Sequence, residues 1–340
     1  MRVLQAMAGA RVGGAEAFFM RLVPALAQAG LAQDAVIRNH AERAGILEAA
    51  GLAVTQVRFG GPLDLASRWA YRRAVAQARP DIVMTWMNRA SAMCPRGSHV
   101  QIARLGGYYD LKHYRNCDHL VGNTRGIVDY LVASGWPAAR AHHIGNFADT
   151  QPAVPVDRAT LDTPEGVPLL LALGRLHTNK AFDVLIEALV DLPEAHLWLA
   201  GEGPLHDLLL QHARDRGIAR RVHFLGWRED TGALLAAADV LVCPSRHEPL
   251  GNVVLEAWAR GVPVVAAASQ GPSELIVEGV NGLLVPVEDA RALARAVAAI
   301  LADPGLARAL AAGGSASHAA EHSREAVVAA YRDLFAMAVS

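Results

Sequence analysis

The sequence is short of several things, and each shortage excludes something. Only three of 340 residues are cysteine: Cys94, Cys117 and Cys243. They lie far apart, so they make neither a metal-ligand spacing nor a disulfide scaffold, and a sparse, odd count suits a reducing cytosol. Lysine is rarer still. Lys112 and Lys180 are the only two among 32 basic residues, a bias that reads as genome composition. There is no run of about 18 uncharged apolar residues, so no segment is expected to span a membrane. The opening Met1-Arg2-Val3-Leu4-Gln5 reaches Gly9 and Arg11 too soon for a signal peptide and reads instead as a buried first strand. A net charge of -1 offers no global attraction for nucleic acid.

What is present points to two folded domains. Hydrophobic residues make up 52% and charged ones 19%, which excludes a disordered tail protein. At this length two domains are expected, each able to bury its own core. The charge is split between them. Residues 1–150 carry 17 Lys/Arg and 10 Asp/Glu, while residues 151–340 carry 15 and 23. Opposite signs suggest two lobes with different duties.

Short β-rich runs alternate with amphipathic stretches. Strands are expected at Val3–Met7, Asp81–Trp86, His119–Gly122, Pro168–Leu173, His196–Ala200, Val222–Leu225, Val240–Cys243 and Val262–Ala266. Helices are expected at Ala15–Gly30, Thr124–Ser134, Phe182–Val190, Leu205–Arg216, Asn252–Arg260 and Ala290–Leu301. This alternation means βαβ units and parallel sheets, and near-continuous apolar strands mean sheets covered on both faces. Residues 149–167, rich in Pro, Asp and Thr and without periodicity, read as a linker. The expected fold is α/β, with two doubly wound parallel-sheet domains: 1–148, and 168–322. Ligands of such sheets bind beyond the carboxyl ends of the strands, which places the site in a cleft between facing domains.

Three constellations carry chemistry. In Glu248-Pro249-Leu250-Gly251-Asn252-Val253-Val254-Leu255-Glu256, two carboxylates bracket a loop and the start of a helix. Such a pair accepts hydrogen bonds from paired hydroxyls, and the helix amides favour an anion. An ordinary helix-start acid with a solvated partner is the plain alternative. In Gly174-Arg175-Leu176-His177-Thr178-Asn179-Lys180, two cations on a strand–helix loop can bracket a diphosphate, or simply be solvated. In Gly9-Ala10-Arg11-Val12-Gly13-Gly14-Ala15-Glu16, glycines allow close approach of backbone to ligand, or make a plain turn. The last is not GxGxxG, so a dinucleotide fingerprint is poorly matched.

These pieces fall in order along nearly the whole chain: GGAE at 13–16, GNFAD at 145–149, GRLHTNKAFD at 174–183, GEGP at 201–204, VHFLGW at 222–227, ADVLVCPSRHEPLGNVVLEAWARGVPVVA at 238–266 and NGLLV at 281–285. In this the chain resembles the retaining glycosyltransferases of family 4, which have the GT-B fold of two Rossmann-like domains. The block from Ala238 to Ala266 is the most specific part, and the first half matches loosely. The resemblance implies roles. Arg175 and Lys180 would hold the donor diphosphate and steady the departing nucleotide. Glu256 would bind the ribose, and Glu248 would face the transferred sugar. Backbone amides of Leu250, Gly251 and Asn252 would reach sugar hydroxyls or phosphate. Gly13 and Gly14 would lie on the loop that closes over the donor, and Trp227 with Arg228 would lie near the base.

There are departures from the family pattern. Ala181 stands where the family usually has glycine. The loop after the strand near residues 100–104, Gln101 to Tyr109, lacks the family's histidine. Arg104, Tyr108 and Tyr109 are candidate acceptor contacts there, with Asp110 and His113 nearby. No Asp-x-Asp occurs, so the leaving charge is expected to be met by Arg175, Lys180 and helix amides without a metal or other cofactor. The expected reaction is front-face transfer with retention. A UDP-hexose donor is favoured, GDP-mannose stays open, and the acceptor is expected to be a glycan, lipopolysaccharide or glycolipid. Residues 65–79 place Arg68, Trp69, Tyr71, Arg72, Arg73 and Arg79 on one helix, which either lies on an anionic membrane or buries Trp69 in the core. The expected setting is the cytoplasm, at the inner face of the cytoplasmic membrane. Ser323–Met337 reads as a helix that, in this fold, crosses back to the first domain. The competing readings are a sugar-nucleotide epimerase of the same fold, a dinucleotide-dependent oxidoreductase and a catalytically silent sugar-nucleotide-binding partner.

Overall fold

The computed structural model describes residues 1–10, 13–61, 63–148 and 153–340. Arg11, Val12 and the first linker residues, 149–152, therefore lie outside the described residues. The chain divides into two units, Met1–Asn146 with Arg324–Ser340, and Phe147–Ser323.

The first unit contains β1 (Arg2–Met7), α1 (Gly14–Gln28), β2 (Ala32–Arg38), α2 (Ala41–Ala49), β3 (Ala53–Val57), α3 (Leu65–Ala78), β4 (Ile82–Trp86), α4 (Met87–Met93), β5 (Val100–Leu105), β6 (His119–Gly122), α5 (Arg125–Ala133) and β7 (Ala141–His143). Its described strands form a parallel sheet in the order β3-β2-β1-β4-β5-β6-β7. The second unit contains β8 (Leu169–Leu173), α6 (Phe182–Val190), β9 (His196–Ala200), α7 (His206–Asp215), β10 (Val222–Gly226), α8 (Thr231–Ala237), β11 (Val240–Cys243), α9 (Asn252–Trp258), β12 (Val264–Ala267), α10 (Gln270–Leu275), β13 (Leu283–Val285), α11 (Ala290–Ala302) and α12 (Pro304–Ser317). Its sheet runs β10-β9-β8-β11-β12-β13, again parallel. Both sheets reverse direction once, at β1/β4 and at β8/β11. These switch points are where doubly wound sheets take their ligands.

The sequence explains the layers. β8 is Leu-Leu-Leu-Ala-Leu, buried throughout and covered on both faces. α6 turns Phe182, Leu185, Ile186 and Leu189 into one of those cores. Full burial of side chains this size stabilises by about 1.5–3 kcal/mol each. The first unit tolerates polar residues inside its sheet because they satisfy one another. Gln5 donates to Gln33, Gln33 donates to the Val23 carbonyl, and the Trp86 indole donates to Gln5, all within 3.0 Å.

The last helix, α13 (Arg324–Val339), belongs to the first unit. Tyr331 on it accepts a 2.9 Å hydrogen bond from Arg104 Nε, and Arg324 donates to Gln28. Residues 153–167 differ from a free linker. They belong to the second unit, where the Arg158 guanidinium donates to the carbonyls of Ala237 and Val167 and pairs with Asp239. Thr163 is buried beneath the Trp198 indole, which donates to its hydroxyl at 2.8 Å. A segment without periodicity can still be fixed by polar anchors rather than by an apolar face.

Candidate functional site

The carboxyl ends of β8, β9, β10 and β11 bring most of the expected donor residues together. The loop after β8 carries Arg175 and Lys180, the loop after β9 carries Glu202, β10 leads into Trp227, and the loop after β11 carries Glu248. These loops interlock through backbone. Leu176 N donates to Glu202 O at 2.9 Å, and Gly201 N donates to Gly226 O at 2.7 Å. Gly201 has φ 148, and a Cβ there would stand 1.9 Å from the Gly174 carbonyl oxygen, so only glycine fits.

Lys180 lies across Gly174, where a Cβ would meet its Cε at 2.9 Å. Its ammonium donates to Glu248 Oε2 in a partly buried ion pair. Burial alone would lower the Lys180 pKa, but the charge and hydrogen bond of Glu248, with the charge of Glu256, outweigh it and the net shift is upward. Lys180 is therefore a committed cation at neutral pH. Glu256, one turn into α9, is close enough for its charge to be felt at Lys180. Arg175 is exposed and makes no hydrogen bond or ion pair among the described residues.

Glu248 is held on three sides. Gly251 N donates to its Oε1 at 3.3 Å, Ser245 Oγ approaches Oε2 at 3.5 Å, and its own carbonyl accepts Gly271 N at 2.8 Å. Gly251 caps α9 with φ 85 and ψ 45, a left-handed turn that favours glycine. Its amide is already engaged by Glu248, and Leu250 is buried while Asn252 is half-buried. Trp227 stands 65% exposed at the end of β10, beside an Arg228–Asp230 ion pair.

The loop has a brace that no spacing rule reveals. Arg246 forks onto Asp183 at 2.9 and 2.6 Å, donates to Glu288, and reaches the Thr178 carbonyl at 2.9 Å. It ties the loop after β11 to the start of α6. The hydrogen bonds it donates to Asp183 and Glu288 push its pKa upward. Asp183 moves the other way: burial would raise it, but the Arg246 hydrogen bonds and charge bring it below the usual carboxylate range. The residues are 63 apart in sequence, so only the fold discloses the pair. Ala181 caps α6 at φ 53 and ψ 36, fully buried. That left-handed backbone is the physical reason glycine is usual there.

In the first unit the glycine loop after β1 is occupied by Glu16, whose Oε1 accepts Ala10 N at 2.5 Å. A Cβ on Gly13 would stand 2.3 Å from the Glu16 carboxylate, whereas Gly14 has open space beside it. Arg104 departs from an acceptor role. It is 4% exposed, lies 4.4 Å over the Phe18 ring and donates to Tyr331 and Asn146. A guanidinium so enclosed fastens α13 rather than meeting a ligand. Tyr108 is half-exposed and packs edge-on against Tyr130, and Tyr109 lines a cavity. Trp69 is 64% exposed, not in the core.

Residues 167–303 match the family described as glycosyl transferases group 1. The chain is 42% identical, over 95% of its length and 96% of the relative's, to the lipopolysaccharide core biosynthesis glycosyltransferase LpsE of Rhizobium meliloti. It belongs to the group 1 glycosyltransferases. LpsD of the same organism, also a lipopolysaccharide core biosynthesis glycosyltransferase, is 35% identical over 95% of each chain. Among solved structures, Anabaena HepE in complex with UDP superposes with a TM-score of 0.85 at 21% identity, covering 99% of this chain and 100% of that one. A glycosyltransferase from Rickettsia africae gives 0.87 at 16% identity, covering 100% and 98%. These likenesses establish the GT-B fold for this glycosyltransferase.

Proposed function

We propose that this glycosyltransferase moves a hexosyl residue, with retention, from a UDP-sugar to a lipopolysaccharide core acceptor. The observation that carries the reading is the gathering of Arg175, Lys180, Glu248 and Glu256 at the β8/β11 switch point. Lys180 supplies a fixed cation and Arg175 an unengaged fork for the diphosphate. A bound diphosphate shares Lys180 with Glu248, freeing carboxylate acceptors for sugar hydroxyls. Glu256 takes the ribose hydroxyls, and the exposed Trp227 offers a face to the base. Amides of Leu250 and Asn252 complete the sugar contacts.

In the reaction, the bond from the anomeric carbon to the diphosphate oxygen breaks. The acceptor hydroxyl bonds to that carbon from the same face, and its proton passes to the departing diphosphate. Lys180 and Arg175 stabilise the charge that develops on the leaving oxygens, so the step needs no metal. Orientation and exclusion of water supply the rest.

LpsE and LpsD support the lipopolysaccharide setting, and the UDP named for HepE supports uridine as the base. A peripheral contact with the inner face of the cytoplasmic membrane rests on α3. Leu63 and Leu65 before and at its start are exposed, and Trp69 stands beside Arg73, whose guanidinium lies 5.4 Å from its ring. Exposed apolar groups amid arginines suit an anionic lipid surface. Among the described residues no single helix is long and apolar enough to cross a membrane.

Thermal shift against UDP, GDP, ADP, NAD and their sugar conjugates tests the donor. A ligand at about 100 times its Kd adds roughly 2.7 kcal/mol. UDP should raise the Tm, and Lys180→Ala or Glu256→Ala should abolish the rise. A rise with NAD alone would return the oxidoreductase, and no rise with any nucleotide would contradict the reading.

A further inference from the structure

The first unit has its own ligand-sized cavity at the β1/β4 switch point, and its chemistry differs from that of the donor site. It measures about 640 Å³, within the ~300–1,000 Å³ typical of small-molecule sites. Arg38, Arg68, Asn88, Arg89, Tyr109 and His113 bring polar groups to it from the ends of β2 and β4, from α3 and from the loop after β5. Among the described residues lining it there is no carboxylate. The nearest acid in that loop, Asp110, is already paired with Lys112 at 2.7 Å. Arg38 and Arg68 are exposed and make no ion pair among the described residues.

Two backbone features hold this cluster in place. Met87 and Phe59 are non-glycine residues at φ 72 and φ 46. Each precedes residues that line the cavity: Asn88 and Arg89 after the first, Gly60 and Gly61 after the second. Arg89 Nη1 bridges the two loops by donating to the Phe59 carbonyl at 2.5 Å. Left-handed backbone at such residues costs about 1–3 kcal/mol each and clusters at ligand sites. Asn88 accepts the Tyr114 hydroxyl through its carbonyl oxygen, which leaves its amide hydrogens for a ligand.

We propose that this cavity binds an anionic group, a phosphate ester or a carboxylate, carried by the acceptor saccharide. Arg38, Arg68 and Arg89 are the specificity-determining residues. The inference rests on the transferase reading and names the acceptor class for it. Three guanidinium groups line one cavity with no carboxylate in that lining, and such groups recognise phosphate or carboxylate through paired N–H donors. A neutral glycan would leave those donors without a charged partner.

Calorimetric titration of the full chain with glucose 6-phosphate, glucuronate, glucose and inorganic phosphate tests this without any donor. The two anionic sugars should bind at least 10-fold more tightly than glucose. The Arg38→Ala/Arg68→Ala double variant should erase that margin, and Arg68→Lys should keep part of it. UDP affinity should be unchanged in both variants, which also reports that they fold. Equal binding of glucose and its 6-phosphate, or an unaltered margin in the double variant, would overturn the proposal. So would inorganic phosphate matching the sugar phosphate, or variant-sensitive binding only to vesicles of anionic lipid, which would make the site a bare anion or headgroup site. Failure of UDP to bind the wild type is a separate result: it refutes the donor reading and leaves the sugar titration legible.

Discussion

The two switch points of this glycosyltransferase share a topology and differ in how their charges are settled. At β8/β11 each cation but one has an acid: Lys180 meets Glu248, and Arg246 meets Asp183 and Glu288. The backbone there is locked by glycine against carbonyl, at Gly201 above all. At β1/β4 the cations face a cavity without acids, and the backbone bends through Met87 and Phe59 rather than through glycine. A site settled in advance is stiff and suits a ligand that must be held while a bond breaks. A site lined by cations without acids suits a ligand of opposite charge. The same fold thus supplies two sheet edges whose charges are settled in different ways.

The two edges should differ most at Lys180. Lys180→Ala should lower the transfer rate by about 10²–10³-fold in a donor-consumption assay, as expected when one group stabilising developing charge is lost. Arg68→Ala should leave donor hydrolysis near the wild-type rate. Equal losses in both would erase the distinction between the edges. Next, Gly201→Ala should destabilise the second unit by about 3 kcal/mol or more, because its Cβ collides with backbone and its φ is 148. Denaturant unfolding would read this, and a loss under about 1 kcal/mol would show that the interlock yields.

Arg246→Ala should cost a smaller ~1–2 kcal/mol, since the fork is strong in geometry but its acids are well exposed. The Asp183 carboxyl lies below its ordinary pKa, so its contribution is present above the unfolded-state value and is lost as pH falls through the folded one. Acid unfolding of the wild type should therefore show a loss that Arg246→Ala has already taken. The Lys180 pKa is raised, so its contribution persists to high pH and fades only as pH climbs past the lysine range. The smallest effect is expected at Ala181. Ala181→Gly relieves a left-handed alanine at about 1–2 kcal/mol and loses part of that to chain entropy, for a net gain of ~0.5–1 kcal/mol in unfolding free energy, read by urea titration.

Legibility in the sequence follows the same division. Phe182–Val190, His196–Ala200 and Val240–Cys243 coincide with α6, β9 and β11, because continuous apolar runs flanked by turn residues leave little choice. β2 does not read as a strand. Its Gln33 and Asp34 break the apolar run, and Gln33 is buried only because Gln5 and the Val23 carbonyl answer it. The residues proposed to bind the donor are visible because they sit in short loops between strong strands. The Arg246 brace and the cation cavity are not, since Asp183 and Glu288 lie far from Arg246 in the chain, and Arg38, Arg68 and Arg89 come from three separate βα units. Arg104 shows the opposite failure: a loop-adjacent arginine looks like a ligand contact until Phe18, Asn146 and Tyr331 enclose it.

Hydrogen exchange of the full chain with and without saturating UDP addresses the central claim most directly. UDP should protect the amides of residues 174–181 and 245–256 and leave 38–43 and 87–93 unchanged. Protection of 38–43 and 87–93 with none at 174–181 would place the nucleotide at the unsettled cation edge and contradict the assignment of the two switch points.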